Sequence, residues 1–154
     1  IMTVGTIVVV FFADSFLTPF TAFLTTLGVV IAAWGGVMLA DIALRRKDYD
    51  EPSLFTPSGR YGSVNWGAVA SLIVGSLVGW GLVVNANASW LSWQGYLLGP
   101  LGGREGDWAG ANIGILLAMV VGFVGYWVTS AGRVRTQEKL ASRTYAQGVE
   151  EGER

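Results

Sequence analysis

Long stretches without a charged residue limit most strongly what this chain can fold into. Residues 15–40, 61–103 and 108–132 contain no Asp, Glu, Lys or Arg. Charged residues make up 14% of the chain, against about 25% in ordinary soluble domains. An uncharged apolar run of more than about 18 residues can cross a bilayer as a helix. The sequence therefore predicts an all-α membrane protein built as a bundle of transmembrane helices.

The apolar runs divide the chain into spans. The first run, residues 2–13, is too short to cross a bilayer, and it is already apolar at residue 1 without the basic start of a signal peptide. We therefore expect a chain that starts inside a helix of a longer protein, with a short interfacial segment as the alternative. The complete spans are expected at 18–44, 64–84 and 109–131, with residues 1–135 as the transmembrane part and 136–154 as a tail.

Residues between the first two runs predict a helix boundary. Asp14-Ser15 should end the first helix, and Thr18-Pro19 should begin the next. Threonine caps helix starts, and proline fits the first turn because the N–H that it lacks would be unpaired there. The span 18–44 has 27 residues, and such a helix is about 40 Å long against a hydrocarbon core of about 30 Å. This helix must therefore tilt, bend or protrude.

Glycines mark the places where helices can bend or approach one another. In the span 18–44, a bend or a close contact is expected at Gly28, Gly35 and Gly36. In the span 64–84, small residues recur about one turn apart and predict a helix-packing face. Its members are Gly67, Ser71, Gly75 and Gly79.

Basic residues are distributed unevenly between the loops. The loop 45–63 contains four Lys or Arg, the tail after residue 132 contains five, and the loop 85–108 contains one. The positive-inside rule then places 45–63 and 133–154 in the cytoplasm and 85–108 outside a plasma or inner membrane. A short surface helix is expected near 88–98. Interfacial aromatic anchors are expected at Trp90, Trp93, Tyr96 and Trp108.

Composition argues against several classes of function. The chain has no cysteine and no histidine, so it lacks disulfides, thiolate metal ligands and the usual general base. A net charge of −1 gives no basic surface for nucleic acid. The sequence contains no paired-carboxylate, phosphate-loop or metal-ligand pattern. We therefore expect neither an enzyme nor a cofactor.

Asp41 is the charged residue that calls for an explanation, because a carboxylate near a membrane span is costly and usually paired. Arg45 lies four residues later, on the same face of the helix and in the favourable acid-first order. A local ion pair at the membrane border is one interpretation. A cytoplasmic gate or a proton-linked group is the other, and both stay open at this stage.

The stretch from Gly35 to Phe55 and its continuation "GRYGSVNW" combine several features. A glycine-rich helix ends in Ala-Asp, a basic cluster and Tyr-Asp-x-Pro follow, and the next span starts with Asn-Trp. Between about residues 15 and 135 the chain resembles the nucleobase:cation symporter family of purine/cytosine permeases. Ile42 departs from the pattern, since the family often has an aromatic residue there. The matching residues are Gly35, Gly36, Ala40, Asp41, Arg45, Arg46, Tyr49, Asp50, Pro52, Tyr61, Asn65 and Trp66.

The resemblance implies a five-plus-five inverted-repeat fold with about twelve spans. This chain would supply the end of the ninth span and the tenth, eleventh and twelfth. Substrate and ion sites in such folds lie at the bilayer midplane between broken helices, which this family is expected to have in the first, third, sixth and eighth spans. The substrate-binding residues would therefore lie outside this chain. The tenth span would flex as an outer gate, with Leu17 and Phe20 as candidate gate residues.

We expect part of a secondary active transporter that imports a nucleobase, cytosine or a purine, together with protons or sodium ions. Its partners would be the nucleobase, the coupling cation, the lipid bilayer and the remaining helices of the permease. A small membrane scaffold or assembly protein without transport activity is the alternative. The candidate gate and cytoplasmic-motif residues are Leu17, Phe20, Asp41, Arg45 and Arg46.

Overall fold

In the part of the chain that this computed structural model describes, three α-helices account for most residues. They are α1 (Met2–Leu44), α2 (Trp66–Gly81) and α3 (Ile113–Gly152). The described residues contain no strand, and four short 3₁₀-helices lie between α2 and α3, at Ser89–Leu91, Gly99–Leu101, Gly103–Glu105 and Ala109–Ala111. The structure describes side chains at 17–46, 49, 61, 64–85 and 88–140, and it adds the backbone of 2–16 and 141–152.

Helix α1 is continuous, so the predicted boundary at Asp14-Ser15 is wrong. Asp and Ser each cost less than about 0.7 kcal/mol in a helix, which is too little to end one that has apolar residues on both sides. Pro19 lies inside α1, and membrane helices tolerate proline because neighbouring groups satisfy the freed backbone carbonyl. The 43 residues of α1 extend about 64 Å. Separate membrane crossings at 2–13 and 18–44 stay a prediction.

Helix α2 is shorter than the predicted span 64–84. It begins at Trp66 because Asn65 caps it, with Oδ1 accepting a hydrogen bond from the backbone N–H of Ala68 at 3.4 Å. It ends at Gly81 after 16 residues, which is about 24 Å of helix. This is less than the hydrocarbon thickness of about 30 Å.

Helix α3 starts later and ends later than the predicted span 109–131. The 3₁₀-helix Ala109–Ala111 and Asn112, whose φ of 49° is left-handed, precede it. Beyond residue 131 the segment is rich in Arg, Gln, Glu, Lys and Ala, which are good helix formers. The predicted tail 136–154 therefore continues the helix as far as Gly152.

Among the residues that the structure describes, two segments have the length and composition of membrane helices. They are Leu17–Leu44 and Ile113–Leu140, each of 28 residues, with mean hydropathies of 2.0 and 1.9. Most of their large apolar side chains on the outer faces are exposed, such as Ile31, Leu116 and Val128. Such exposure suits contact with lipid or with further helices rather than with water.

Small residues bring α2 and α3 so close that their backbones touch. A Cβ atom added to Gly79 would lie 2.9 Å from the carbonyl oxygen of Gly114, and one added to Gly114 would lie 2.2 Å from the carbonyl oxygen of Gly79. One turn earlier in α2, a Cβ atom on Gly75 would lie 2.9 Å from the carbonyl oxygen of Ala118. The predicted packing face of α2 is confirmed.

Helices α1 and α3 make the same kind of contact. A Cβ atom on Gly36 would lie 2.1 Å from the carbonyl oxygen of Met119, and one on Gly122 would lie 2.4 Å from the carbonyl oxygen of Ala33. By contrast, a Cβ atom on Gly35 would meet nothing within 4 Å. Of these adjacent glycines, Gly36 is therefore the one required for close approach.

The segment after α2 packs back onto α1 and α2 through a buried glutamine. Gln94 is 1% exposed, accepts from Nδ2 of Asn85 at 2.6 Å and donates to Oγ1 of Thr26 at 3.0 Å. Nε1 of Trp80 donates to the carbonyl oxygen of Thr26 at 3.0 Å, and its ring meets Trp93 edge-on at 5.5 Å. The short surface helix expected near 88–98 is reduced to one 3₁₀-helix, because these tertiary hydrogen bonds determine the path of the chain.

The contrast between Gly36 and Gly35 is testable. We expect Gly36→Ala to lower the stability by about 1–3 kcal/mol, because the new methyl group overlaps the α3 backbone. The change in melting temperature of the purified protein in detergent measures this. Gly35→Ala, in the same turn of the same helix, is the matched control and should leave the melting temperature unchanged or slightly raised. Equal melting temperatures for both variants would contradict the close contact between Gly36 and the backbone of α3.

Candidate functional site

A polar cluster around Asp41 joins the end of α1 to α3 and to the segment before α2. The Asp41 carboxylate is partly buried and accepts three hydrogen bonds. Oδ2 accepts from Nε of Arg45 at 2.8 Å, in an ion pair, and from the hydroxyl of Tyr49. Oδ1 accepts from the hydroxyl of Tyr126 on α3. Both carboxylate oxygens are thus occupied by donors from three parts of the chain.

Arg45 is enclosed by aromatic rings and a glutamine. Its guanidinium carbon lies 4.6 Å from the ring centroid of Tyr49 and 5.2 Å from that of Tyr61, which is within the range of a cation–π interaction. Its two terminal nitrogens donate to Oε1 of Gln137 at 3.4 Å. A lysine could not reproduce this planar arrangement of stacked faces and several donors.

Burial and the charge of Asp41 have opposing effects on the pKa of Arg45. Burial by itself lowers the pKa of the guanidinium, but the hydrogen bond and the negative charge of Asp41 outweigh it and raise that pKa above its usual value. Burial also raises the pKa of Tyr49, and its hydrogen bond to Asp41 raises it further. Arg45 therefore stays charged, and Tyr49 stays a neutral donor.

The start of α2 is connected to the same carboxylate through a tyrosine. Nδ2 of Asn65 donates to the hydroxyl oxygen of Tyr126 at 3.3 Å, and that hydroxyl donates to Asp41. Tyr126 is 3% exposed. Arg133 of α3 donates to the carbonyl oxygen of Tyr61 at 2.7 Å. The polar cluster therefore contacts all three helices at one end of the bundle.

The structure separates the two arginines that follow Asp41. Arg45 turns into the cluster, whereas the Arg46 side chain is exposed. The backbone N–H of Arg46 donates to Oε1 of Glu138 at 2.5 Å. Of the motif residues matched in the sequence, Asp50 and Pro52 lie outside the described residues.

The two gate candidates lie far from the polar cluster. Leu17 is 60% exposed and Phe20 is 43% exposed, near the other end of the apolar segment of α1. Leu17 precedes Asp41 by 24 residues, which is about 36 Å of helix. The structure therefore does not bring Leu17 or Phe20 together with Asp41 and Arg45.

Sequence reasoning missed the α3 members of the cluster. It assigned no role to Tyr126 or to Gln137. A signal was available, because the small residues of α3 that contact its neighbours continue at helical spacing to Tyr126 and Gln137. This stripe is Gly114, Ala118, Gly122, Tyr126, Ser130, Val134 and Gln137, and all seven are buried.

The cluster has the chemistry of a structural junction. Its carboxylate is matched by a guanidinium and two hydroxyl donors. In the part of the chain that the structure describes, no group of three or more Asp and Glu could hold a metal ion. A satisfied, partly buried network of this kind fixes the relative position of the elements that contribute to it.

A double-mutant cycle tests whether Asp41 and Tyr126 act as a unit. We expect Asp41→Asn and Tyr126→Phe each to lower stability by about 1–3 kcal/mol, and the double variant to lose less than the sum by at least about 0.5 kcal/mol. Thermal unfolding in detergent measures all four proteins. Tyr96→Phe is the matched control, because its hydroxyl donates to Leu77 elsewhere, and it should combine additively with Asp41→Asn. Additivity in both cycles would show that the hydrogen bond between Asp41 and Tyr126 contributes no coupling free energy.

Comparison with known families identifies the chain. A family model described as a permease for cytosine/purines, uracil, thiamine and allantoin matches residues 1–99, well over half of the 154 residues. The matched residues include α1 and α2. They also include three residues of the polar cluster, namely Asp41, Arg45 and Asn65. No curated protein and no solved structure matches the chain. The chain therefore belongs to the family of permeases for cytosine/purines, uracil, thiamine and allantoin, and it is an integral membrane protein whose helices suit a transporter bundle.

Proposed function

We propose that this chain contributes helices to a secondary active transporter that imports a nucleobase, cytosine or a purine. A proton or sodium gradient would drive import by alternating access. The family match supports transport of a heterocycle of this class. The substrate and the coupling cation would bind to other helices of the permease, which pack on the exposed apolar faces of α1 and α3.

The observation that carries the proposal is the convergence of the family-like motif on one junction. Asp41, Arg45, Tyr49, Tyr61 and Asn65 are spread over 25 residues of sequence. They meet around one carboxylate, and Tyr126 connects them to α3. In an alternating-access transporter such a junction would hold the helix ends on one side together while their other ends move.

The orientation follows from the charges. Residues 45–63 and 133–154 would face the cytoplasm, and residues 85–108 would face outward, because nine of the ten basic residues lie in the first two segments. The Asp41 cluster would then be cytoplasmic. The outer part of α1, with Leu17 and Phe20, would move as the outer gate.

Uptake of radiolabelled cytosine, with adenine as the competitor, tests the transport proposal. Permease-deficient cells would express the complete reading frame that contains this chain. We expect uptake that collapses when the ion gradient is dissipated, because coupled import stops without its driving force. Absence of uptake of cytosine, purines, allantoin, hydantoin and thiamine, with the protein present in the membrane, would favour the non-transporting scaffold instead.

The same cells test the role of Asp41. We expect Asp41→Asn to lower the uptake rate per molecule in the membrane about tenfold, which corresponds to about 1.4 kcal/mol in the barrier. Asp107→Asn, in the exposed outer segment, is the matched control and should transport normally. If Asp41→Asn lowers only the amount of protein and each molecule transports normally, Asp41 serves folding alone.

A further inference from the structure

A second polar feature lies at the same end of the bundle as the Asp41 cluster, on the exposed surface of the helices. It is a groove of about 500 Å³ between the end of α1 and the face of α3. Three basic residues line it: Arg46, just after α1, and Arg135 and Lys139, one turn apart on α3. All three are exposed. Three basic side chains therefore line one groove at the predicted cytoplasmic border of the membrane.

The lining changes from apolar to basic along the axis of α3. Trp127 lies two turns before Arg135 on the same face, which is about 12 Å deeper along the helix. From α1, Ala43 and Leu44 also line the groove. A ligand that fits this gradient carries negative charge at one end and hydrocarbon at the other. Tryptophan at this depth is typical of the boundary between headgroups and acyl chains.

One acid also lines the groove. Oε1 of Glu138 accepts the backbone N–H of Arg46 at 2.5 Å, so this oxygen is directed to the end of α1. Among the described lining residues the cations outnumber the carboxylate by three to one. The described part of the lining is therefore net positive, which favours an anionic headgroup over a zwitterionic one.

We propose that this groove binds the phosphate headgroup of an anionic phospholipid of the cytoplasmic leaflet. Basic pockets between helices on the cytoplasmic side of a membrane commonly bind such headgroups. The phosphate would contact Arg135, Lys139 and Arg46, and an acyl chain would lie along Trp127. A soluble phosphate would use the cations and leave the apolar part of the groove empty. The proposal does not depend on which solute the permease carries.

Lipid titration of the purified, complete protein in detergent is the first test. Phosphatidylglycerol should raise the melting temperature at low concentration, and phosphatidylcholine with the same acyl chains should not. In Arg135→Gln/Lys139→Gln the apparent dissociation constant for phosphatidylglycerol should rise roughly 25-fold, at about fivefold per cation removed. Arg104→Gln, in the segment 85–108, is the control and should respond like the wild type.

Each other outcome of this titration overturns the proposal. Equal shifts with both lipids would mean that the headgroup charge is not recognised. An unchanged response of the double variant would place the lipid elsewhere. The same stabilisation by glycerol 3-phosphate or inorganic phosphate would identify a site for free phosphate rather than for lipid.

A second measurement does not depend on removing the cations. Phosphatidylglycerol with brominated acyl chains should quench tryptophan fluorescence of the wild-type protein more strongly than brominated phosphatidylcholine. Trp127→Phe should lose this difference, and Trp90→Phe, in the outer segment, should keep it. If Trp127→Phe retains the full difference, the acyl chain does not lie in the groove.

Discussion

Direct backbone contact between helices is the constraint on which the rest of this structure depends. At Gly36, Gly79, Gly114 and Gly122 an added Cβ atom would lie between 2.1 and 2.9 Å from atoms of a neighbouring helix. Lipid supplies no hydrophobic force between helices, so close van der Waals packing must hold them together. The glycines permit that packing, and they also allow little variation in the register of one helix against the next.

The polar cluster is a consequence of this register. Asp41 follows Gly36 by five residues, and Tyr126 follows Gly122 by four. The contacts that bring α1 against α3 at the glycines therefore bring the carboxylate and the tyrosine together about one turn further on. A shift of one turn in either helix would leave Oδ1 of Asp41 without its α3 donor, and an unsatisfied, partly buried acceptor is costly. Packing and polar contacts thus select the same arrangement.

The end of the bundle separates its charges into two environments. Asp41 and Arg45 are enclosed and neutralise each other, whereas Arg46, Arg135 and Lys139 line an open groove. The first set is suited to holding three elements of the permease together. The second set is suited to contact with the membrane surface. Consecutive residues, Arg45 and Arg46, belong to different sets, directly after the end of α1 at Leu44.

Several features were predictable because they depend on local chemistry. Uncharged apolar runs predict membrane helices, a spacing of four residues predicts the pair of Asp41 and Arg45, and small residues one turn apart predict the packing face of α2. The predicted break at Asp14-Ser15 was wrong. It rested on two polar residues, whose effect on a helix is small compared with the gain from continuing it.

The sequence by itself determined the class of protein, the family-like motif and the ion pair, since these follow from transfer free energies and from contacts within one helix. Only the tertiary structure decided that Tyr126 completes the shell of Asp41, 85 residues away, and that Gln137 reaches Arg45 across 92 residues. Such contacts depend on the register between helices. Close contact between the helix backbones at the glycines fixes that register. The spacing of residues within a single helix does not reveal it.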